Sequence, residues 1–172
     1  PHFSMNSVAM QCNGFVKTND GDLKEFKNPK LHALSDIIEE SEGKIIIWAN
    51  YIYNIESIIK FLKEKYGVKS VVANYGAIDS ITRTKAMKSF QEDDECRFFV
   101  GNPTTGGFGL TLTAATNVIY FSNSFNYEVR RQSEDRAHRS GQTKTVLYTD
   151  LICKDTLDER ILVSLKNKNK LA

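Results

Sequence analysis

At 172 residues, with 41% hydrophobic and 26% charged positions, the chain fits one globular domain that can bury a real core without staples. The formal net charge of +2 says little about partners and confines any nucleic-acid surface to a local patch. Cys12, Cys96 and Cys153 are too scattered for a metal site or a disulfide framework. No apolar run approaches the ~18 residues of a membrane span, and no signal peptide is visible, which points to reduced core thiols and an intracellular place, cytoplasm or nucleoid/nucleus.

Pro1 in place of Met suggests a piece cut from a longer chain, with Pro1 to Ser4 candidates for a tag remnant. Asn19-Asp20-Gly21 between short strand-like arms, Phe15 to Phe26, predicts a hairpin, so residues 1–28 are expected to form an N-terminal extension or linker and 29–172 the main domain. Asn28-Pro29 opens a helix, with Leu31, Leu34, Ile37 and Ile38 at helical spacing and Gly43 as its stop. Lys44 to Trp48 is a continuous apolar run typical of a strand buried on both faces. Asn54 is expected to cap a helix striped with Ile55, Ile58, Ile59 and Leu62, ending at Gly67.

A second strand, Ser70 to Asn74, leads through Tyr75-Gly76 into a helix of about eleven residues carrying Ile81, Met87 and Phe90. Glu92 to Glu95 reads as a solvated loop. Further strands follow at Arg97–Gly101, Val118–Phe121 and Thr145–Ile152. Thr156-Leu-Asp-Glu159 matches a capping box that opens a last helix with Leu157, Ile161 and Leu165 on one face. Alternating strands and helices with short connections predict an α/β fold, a parallel sheet of about five to six strands covered by helices on both sides.

The chemistry concentrates between Thr104 and Gln142. Asn126 is a good N-cap with Glu128 in the first turn. Were the helix to run far enough, Gln132, Arg136 and Arg139 would share one face, because residues four and seven apart nearly align. Two guanidiniums and an amide make a poor core face and a good clamp for phosphate. The bland alternative is surface arginines in i,i+4 pairs, such as Arg131 with Asp135. Upstream, Gly107 and Gly109 are expected to shape a turn at the carboxyl end of a strand, where ligands of open α/β sheets bind.

Gly106, Gly107, Gly109, Leu110, Leu112, Ala114, Ala115, Asn126, Gln132, Asp135, Arg136, His138, Arg139, Gly141 and Gln142 stand where motifs V and VI of superfamily-2 helicases have them. The stretch resembles the Swi/Snf-like branch, with Phe125 and Tyr127 in place of a usual Trp and Pro, and Asn102-Pro103-Thr104 in place of the usual Ser/Thr/Arg run. The resemblance extends from about Pro29 to Lys166 and implies a second, C-terminal RecA-like lobe of an ATP-dependent DNA translocase or helicase. It implies that Arg136 and Arg139 reach ATP held with Mg²⁺ by a partner lobe, acting as arginine fingers, and that Gln132, Gly107 and Gly109 help bind the nucleotide. His138 is expected to pack beside them and not to act as a base.

Lobes of this type grip DNA, here expected to be double-stranded, by its phosphates. By position the contacts fall to Asn50, Tyr51, Arg83, Thr104 and Thr105. The sequence contains no G-x-x-x-x-G-K-[S/T] loop and no Asp-Glu pair in a metal-binding strand-end context. The chain therefore reads as half a site, inactive alone, with its other half on an N-terminal lobe and no cofactor of its own. The rival expectations are a stand-alone nucleic-acid-binding module and a regulatory lobe that kept the fold without catalysis.

Overall fold

The computed structural model describes residues 13–17, 23–25, 28–76, 78–105 and 110–171. Five parallel strands form the central sheet: β3 (Lys44–Trp48), β4 (Val71–Asn74), β5 (Phe98–Gly101), β6 (Ala115–Tyr120) and β7 (Leu147–Asp150), in the order β4-β5-β3-β6-β7. Separately, β1 (Phe15–Lys17) pairs antiparallel with β2 (Leu23–Glu25), which are the arms of the expected hairpin. The helices are α1 (Pro29–Glu40), α2 (Ile52–Tyr66), α3 (Ser80–Glu92), α4 (Tyr127–Ala137) and α5 (Leu157–Leu171), with one 3-10 turn at Val68–Ser70.

Period-two alternation sorts the core into two layers. Ile45 and Ile47 of the central strand face Leu34 and Ile38 of α1 and Ile55, Ile58 and Leu62 of α2. Ile46 and Trp48 face Phe90 of α3 and Ala137 of α4. A strand sandwiched this way can have no polar face, and Ile45 to Trp48 are all fully buried. Each such side chain contributes about 1.5–3 kcal/mol of burial. A third cluster, Leu157, Ile161 and Leu165 of α5, closes over Tyr51 and Tyr127.

Local chemistry starts the helices as expected at three places. Asn28 accepts from the Lys30 N–H with Pro29 in the first turn, Asn126 accepts from the Val129 N–H, and Thr156 Oγ1 accepts from the Asp158 N–H. Elsewhere tertiary contacts prevail. α1 ends at Glu40, three residues before Gly43. Asn54 is no cap: α2 starts at Ile52, and the buried Asn54 amide donates to the Asn13 carbonyl at 2.8 Å. Ile81 is no core residue. It is 71% exposed, because Asp79 caps α3 and turns that first-turn position outward. At the start of α5 the carboxylate that reaches back is Asp158, taking the Cys153 N–H at 3.0 Å.

A buried polar cluster ties the chain's ends to the sheet. Lys30 Nζ meets Asp158 at 2.6 Å, the Phe121 carbonyl at 3.1 Å and Asn13 Oδ1 at 3.4 Å. It therefore joins the segment before β1, α1, the end of β6 and α5.

Candidate nucleotide and nucleic-acid site

The connections after β3 and β6 leave on opposite faces of the sheet, α2 on one and α4 on the other. Their carboxyl ends thus flank a topological switch point, the usual ligand crevice of an open α/β sheet. Strand register lines up Asp150, Tyr120, Trp48, Gly101 and Asn74 as one row across that edge. Gly101 is required there. A Cβ on it would lie 2.5 Å from the Asn74 carbonyl oxygen and 3.3 Å from the Trp48 ring.

α4 lays two arginines on this row. Arg130 stacks over the Tyr120 ring at 3.5 Å and is neutralised by Asp150 and, one turn along the helix, by Glu134. Arg136 lies over Trp48, its guanidinium carbon 5.3 Å from the ring centroid, and is only 7% exposed. Among the described residues it has no carboxylate partner, and its buried Nη1 has no hydrogen-bond acceptor. Burial accordingly pulls the Arg136 pKa down, whereas the acids around Arg130, together with Tyr120, more than offset its burial and raise its pKa. Desolvation raises the Tyr120 phenol, which shares a 2.6 Å hydrogen bond with Ser133.

Gln132, Arg136 and Arg139 do not form one helical stripe. α4 stops at Ala137 with His138 as its C-cap, so Arg139 lies beyond the helix. The stop is imposed from a distance. Gln142 Nε2 shares its protons among the carbonyls of Thr113 at 2.9 Å, Ala115 at 3.1 Å and Ala137 at 3.2 Å, while Gly141 turns at φ +103°. Arg136 and Arg139 are both tied to the Thr111–Leu112 segment, one through its backbone and the other through its side chain. The Arg136 carbonyl accepts the Leu112 N–H at 2.9 Å, and Arg139 Nη1 donates to Thr111 Oγ1 at 3.3 Å. Arg139, Gln132 and His138 are exposed. Gly107 and Gly109 lie outside the described residues. The i,i+4 pair on this helix is Arg130 with Glu134, and not Arg131 with Asp135, the example offered for the bland alternative.

Three of the nucleic-acid candidates are drawn together by a residue that sequence reasoning missed. Asn102 Nδ2 donates to the Asn50 carbonyl at 3.0 Å, its Oδ1 accepts the Thr104 N–H at 2.8 Å, and its carbonyl accepts the Thr105 N–H at 3.1 Å. Its signal was the Asn-Pro-Thr-Thr run, typical of a side chain that folds a turn around itself. Asn50 is also pinned to Ser122, through its own N–H at 2.9 Å and its amide at 3.2 Å. Tyr51 stands apart: its ring meets Phe15 edge-on at 5.5 Å and packs on the α5 cluster. Arg83 anchors the turn before α3 through a 3.1 Å bond to the Ile78 carbonyl.

No group of three or more His, Cys, Asp or Glu side chains comes together among the described residues, and none of their helices is long and apolar enough to cross a membrane. The arrangement offers cations and backbone turns to an anionic ligand and no metal cage.

A five-stranded parallel sheet with an arginine-bearing helix over the carboxyl edge defines a RecA-like lobe of α/β class. The chain belongs to the helicase conserved C-terminal domain family, whose model matches residues 29–141, and corresponds to the second RecA-like lobe of SNF2-family ATPases. It is 36% identical over 135 residues to the ATP-dependent helicase FUN30 of Saccharomyces cerevisiae, covering 78% of this chain and 12% of that protein. It is 32% identical over 145 residues to the human chromatin-remodeling ATPase INO80, covering 83% of this chain and 9% of that one. Among solved structures it is similar to the Sulfolobus solfataricus SWI2/SNF2 ATPase core in complex with dsDNA. There the TM-score is 0.69 and the identity 30%, covering 84% of this chain and 30% of that one. The chain thus spans about a tenth of the curated relatives' length.

Proposed function

We propose that this lobe supplies arginine fingers to ATP held by an N-terminal RecA-like lobe and part of the grip on double-stranded DNA, in an ATP-dependent translocase. The observation that carries the reading is the unneutralised guanidinium of Arg136. Burying a cation without an acid is costly unless an anion arrives, and a terminal phosphate meets that need. Arg139, exposed and tethered to the same Thr111–Leu112 segment, supplies a second fork that can swing onto the phosphate. Phosphoryl transfer is catalysed chiefly by placing such charge, and one finger contributes about 10³–10⁵ in rate.

The lobe proper is taken as residues 29–172, with 1–28 leading in from the other lobe. Mg²⁺ and the phosphate cradle are assigned to that other lobe, where the metal would neutralise charge on the triphosphate. Asn50, Thr104 and Thr105, gathered around Asn102, are the preferred phosphate contacts on DNA, with Gln132 at the nucleotide. The archaeal relative's complex with dsDNA supports the choice of partner. Such a partner implies a place of action inside the cell.

The test rejoins an N-terminal lobe and measures DNA-stimulated ATPase. Arg139→Ala is expected to lower kcat by two or more orders of magnitude; near-normal kcat would reject the finger role. The chain alone is expected to hydrolyse no ATP, and robust turnover by pure material would overturn the half-site reading.

A further inference from the structure

Two stacks on neighbouring strands differ in one respect. Trp48 and Tyr120 are register partners on β3 and β6, and each carries an α4 arginine on its ring face. Arg130 over Tyr120 is held by Asp150 and Glu134 and would stay in place without the ring. For Arg136 the aromatic face is the one attractive partner that the described residues offer its charge. The ring quadrupole attracts a cation without neutralising it, and an indole attracts more strongly than the other aromatic side chains. A carboxylate there would hold Arg136 as firmly and would compete with phosphate for it.

Trp48 itself is built to lie flat in this place. It is fully buried, its Nε1 has no hydrogen-bond partner among the described residues, and Gly101 beside it leaves room for the six-membered ring. Phe99 meets it edge-on at 5.9 Å and packs in the same core layer as Ala137 of α4. Its backbone carbonyl accepts the Phe121 N–H at 2.9 Å, and two residues on, Asn50 is bonded to Ser122. The platform therefore sits on the central strand of the sheet, which is paired on both sides.

Building on the nucleotide-facing role proposed above for Arg136, we propose that Trp48 is the positioning residue for that arginine, a platform that holds the guanidinium in place while leaving its charge free for phosphate. The experiment compares Trp48→Leu, Trp48→Phe, Arg136→Ala and the Trp48→Leu/Arg136→Ala double variant in the two-lobed protein, with DNA-stimulated ATPase and melting temperature read together. Trp48→Leu is expected to lower kcat on the order of ten- to thirtyfold with KM for ATP within about twofold, and Trp48→Phe to recover most of that loss. The double variant is expected to be no slower than Arg136→Ala alone, because the ring acts only through the arginine.

Multiplicative losses in the double variant, or a kcat that follows the melting temperature alone, would overturn the platform role. Where Trp48→Leu does not fold, Trp48→Phe carries the test, since a kcat loss of a few fold that vanishes in the Arg136→Ala background supports it and one that persists overturns it. Should Arg136→Ala itself leave kcat intact, the finger reading fails first, and this is told apart from failure of the platform alone. A second readout needs no catalysis. Trp48 is the chain's single tryptophan, so its emission should change in Arg136→Met and stay as it was in Arg139→Ala; equal spectra in both would show that no stack exists.

Discussion

Removing Asp158 tests the buried cluster that fastens both ends of the chain to the sheet. Lys30 and Asp158 side chains are 3% and 7% exposed and 2.6 Å apart. In Asp158→Ala the ammonium keeps only neutral acceptors, the Phe121 carbonyl at 3.1 Å and Asn13 Oδ1 at 3.4 Å. Breaking a buried pair from one side costs about 3–5 kcal/mol, because the remaining charge stays desolvated. That is a large part of the ~5–15 kcal/mol that keeps a domain folded. At ~2–4 °C per kcal/mol for a chain of this size, the melting temperature should fall by roughly 6–20 °C.

Loss of the Cys153 N–H bond to Asp158 adds to the fall and loosens the start of α5. Lys30→Met/Asp158→Leu should recover part of the loss, since no unpaired charge remains, while the stranded Phe121 carbonyl keeps recovery incomplete. Urea unfolding of the two singles and the double gives the coupling. The exposed pair Lys69–Glu95 is the control, and breaking it should leave the midpoint unchanged. A loss below about 1 kcal/mol in Asp158→Ala would refute the reasoning, because it would mean that water reaches the ammonium.

Gln142→Ala removes the bonds to the carbonyls of Thr113, Ala115 and Ala137 and should cost about 2–3 kcal/mol in urea unfolding, at ~1 kcal/mol per bond lost. An unchanged midpoint would mean that water replaces the amide. Desolvation raises the Cys96 thiol from 9.0 to about 11. The fold favours the protonated form, so this contribution is fully present below pH 9 and is lost as pH rises through 9 to about 11. Cys96→Ala should show a shallower decline in urea midpoint over that range, and an identical decline in both proteins would place the titration elsewhere.

Elements specified by near neighbours were legible in advance. Asn28-Pro29 and Asn126 start helices through bonds to N–H groups within three residues, so no distant contact is needed. Lys44 to Trp48 announced a central parallel strand because both of its faces must be apolar. The motif residues from Gly106 to Gln142 were enough to mark the family, since those identities answer to a ligand as well as to packing.

What reached across the chain was not legible. Lys30 reads as an exposed helical lysine and is buried by Asp158, Phe121 and Asn13, which lie far away in sequence. Asn54 has the chemistry of a cap and is drawn into the helix by the Asn13 carbonyl. Arg136 and Arg139 look like twins in the sequence. One is sheathed on Trp48 by the register of β3 and β6, while the other is released to solvent by a helix end that Gln142 fastens to Thr113 and Ala115, 29 and 27 residues away from it. The sequence by itself determined the strands, the caps at Asn28 and Asn126 and the residue types of the site, because those obey spacing along the chain. Only the tertiary structure decided which cation is buried without an acid, because that depends on which strand ends the sheet brings side by side.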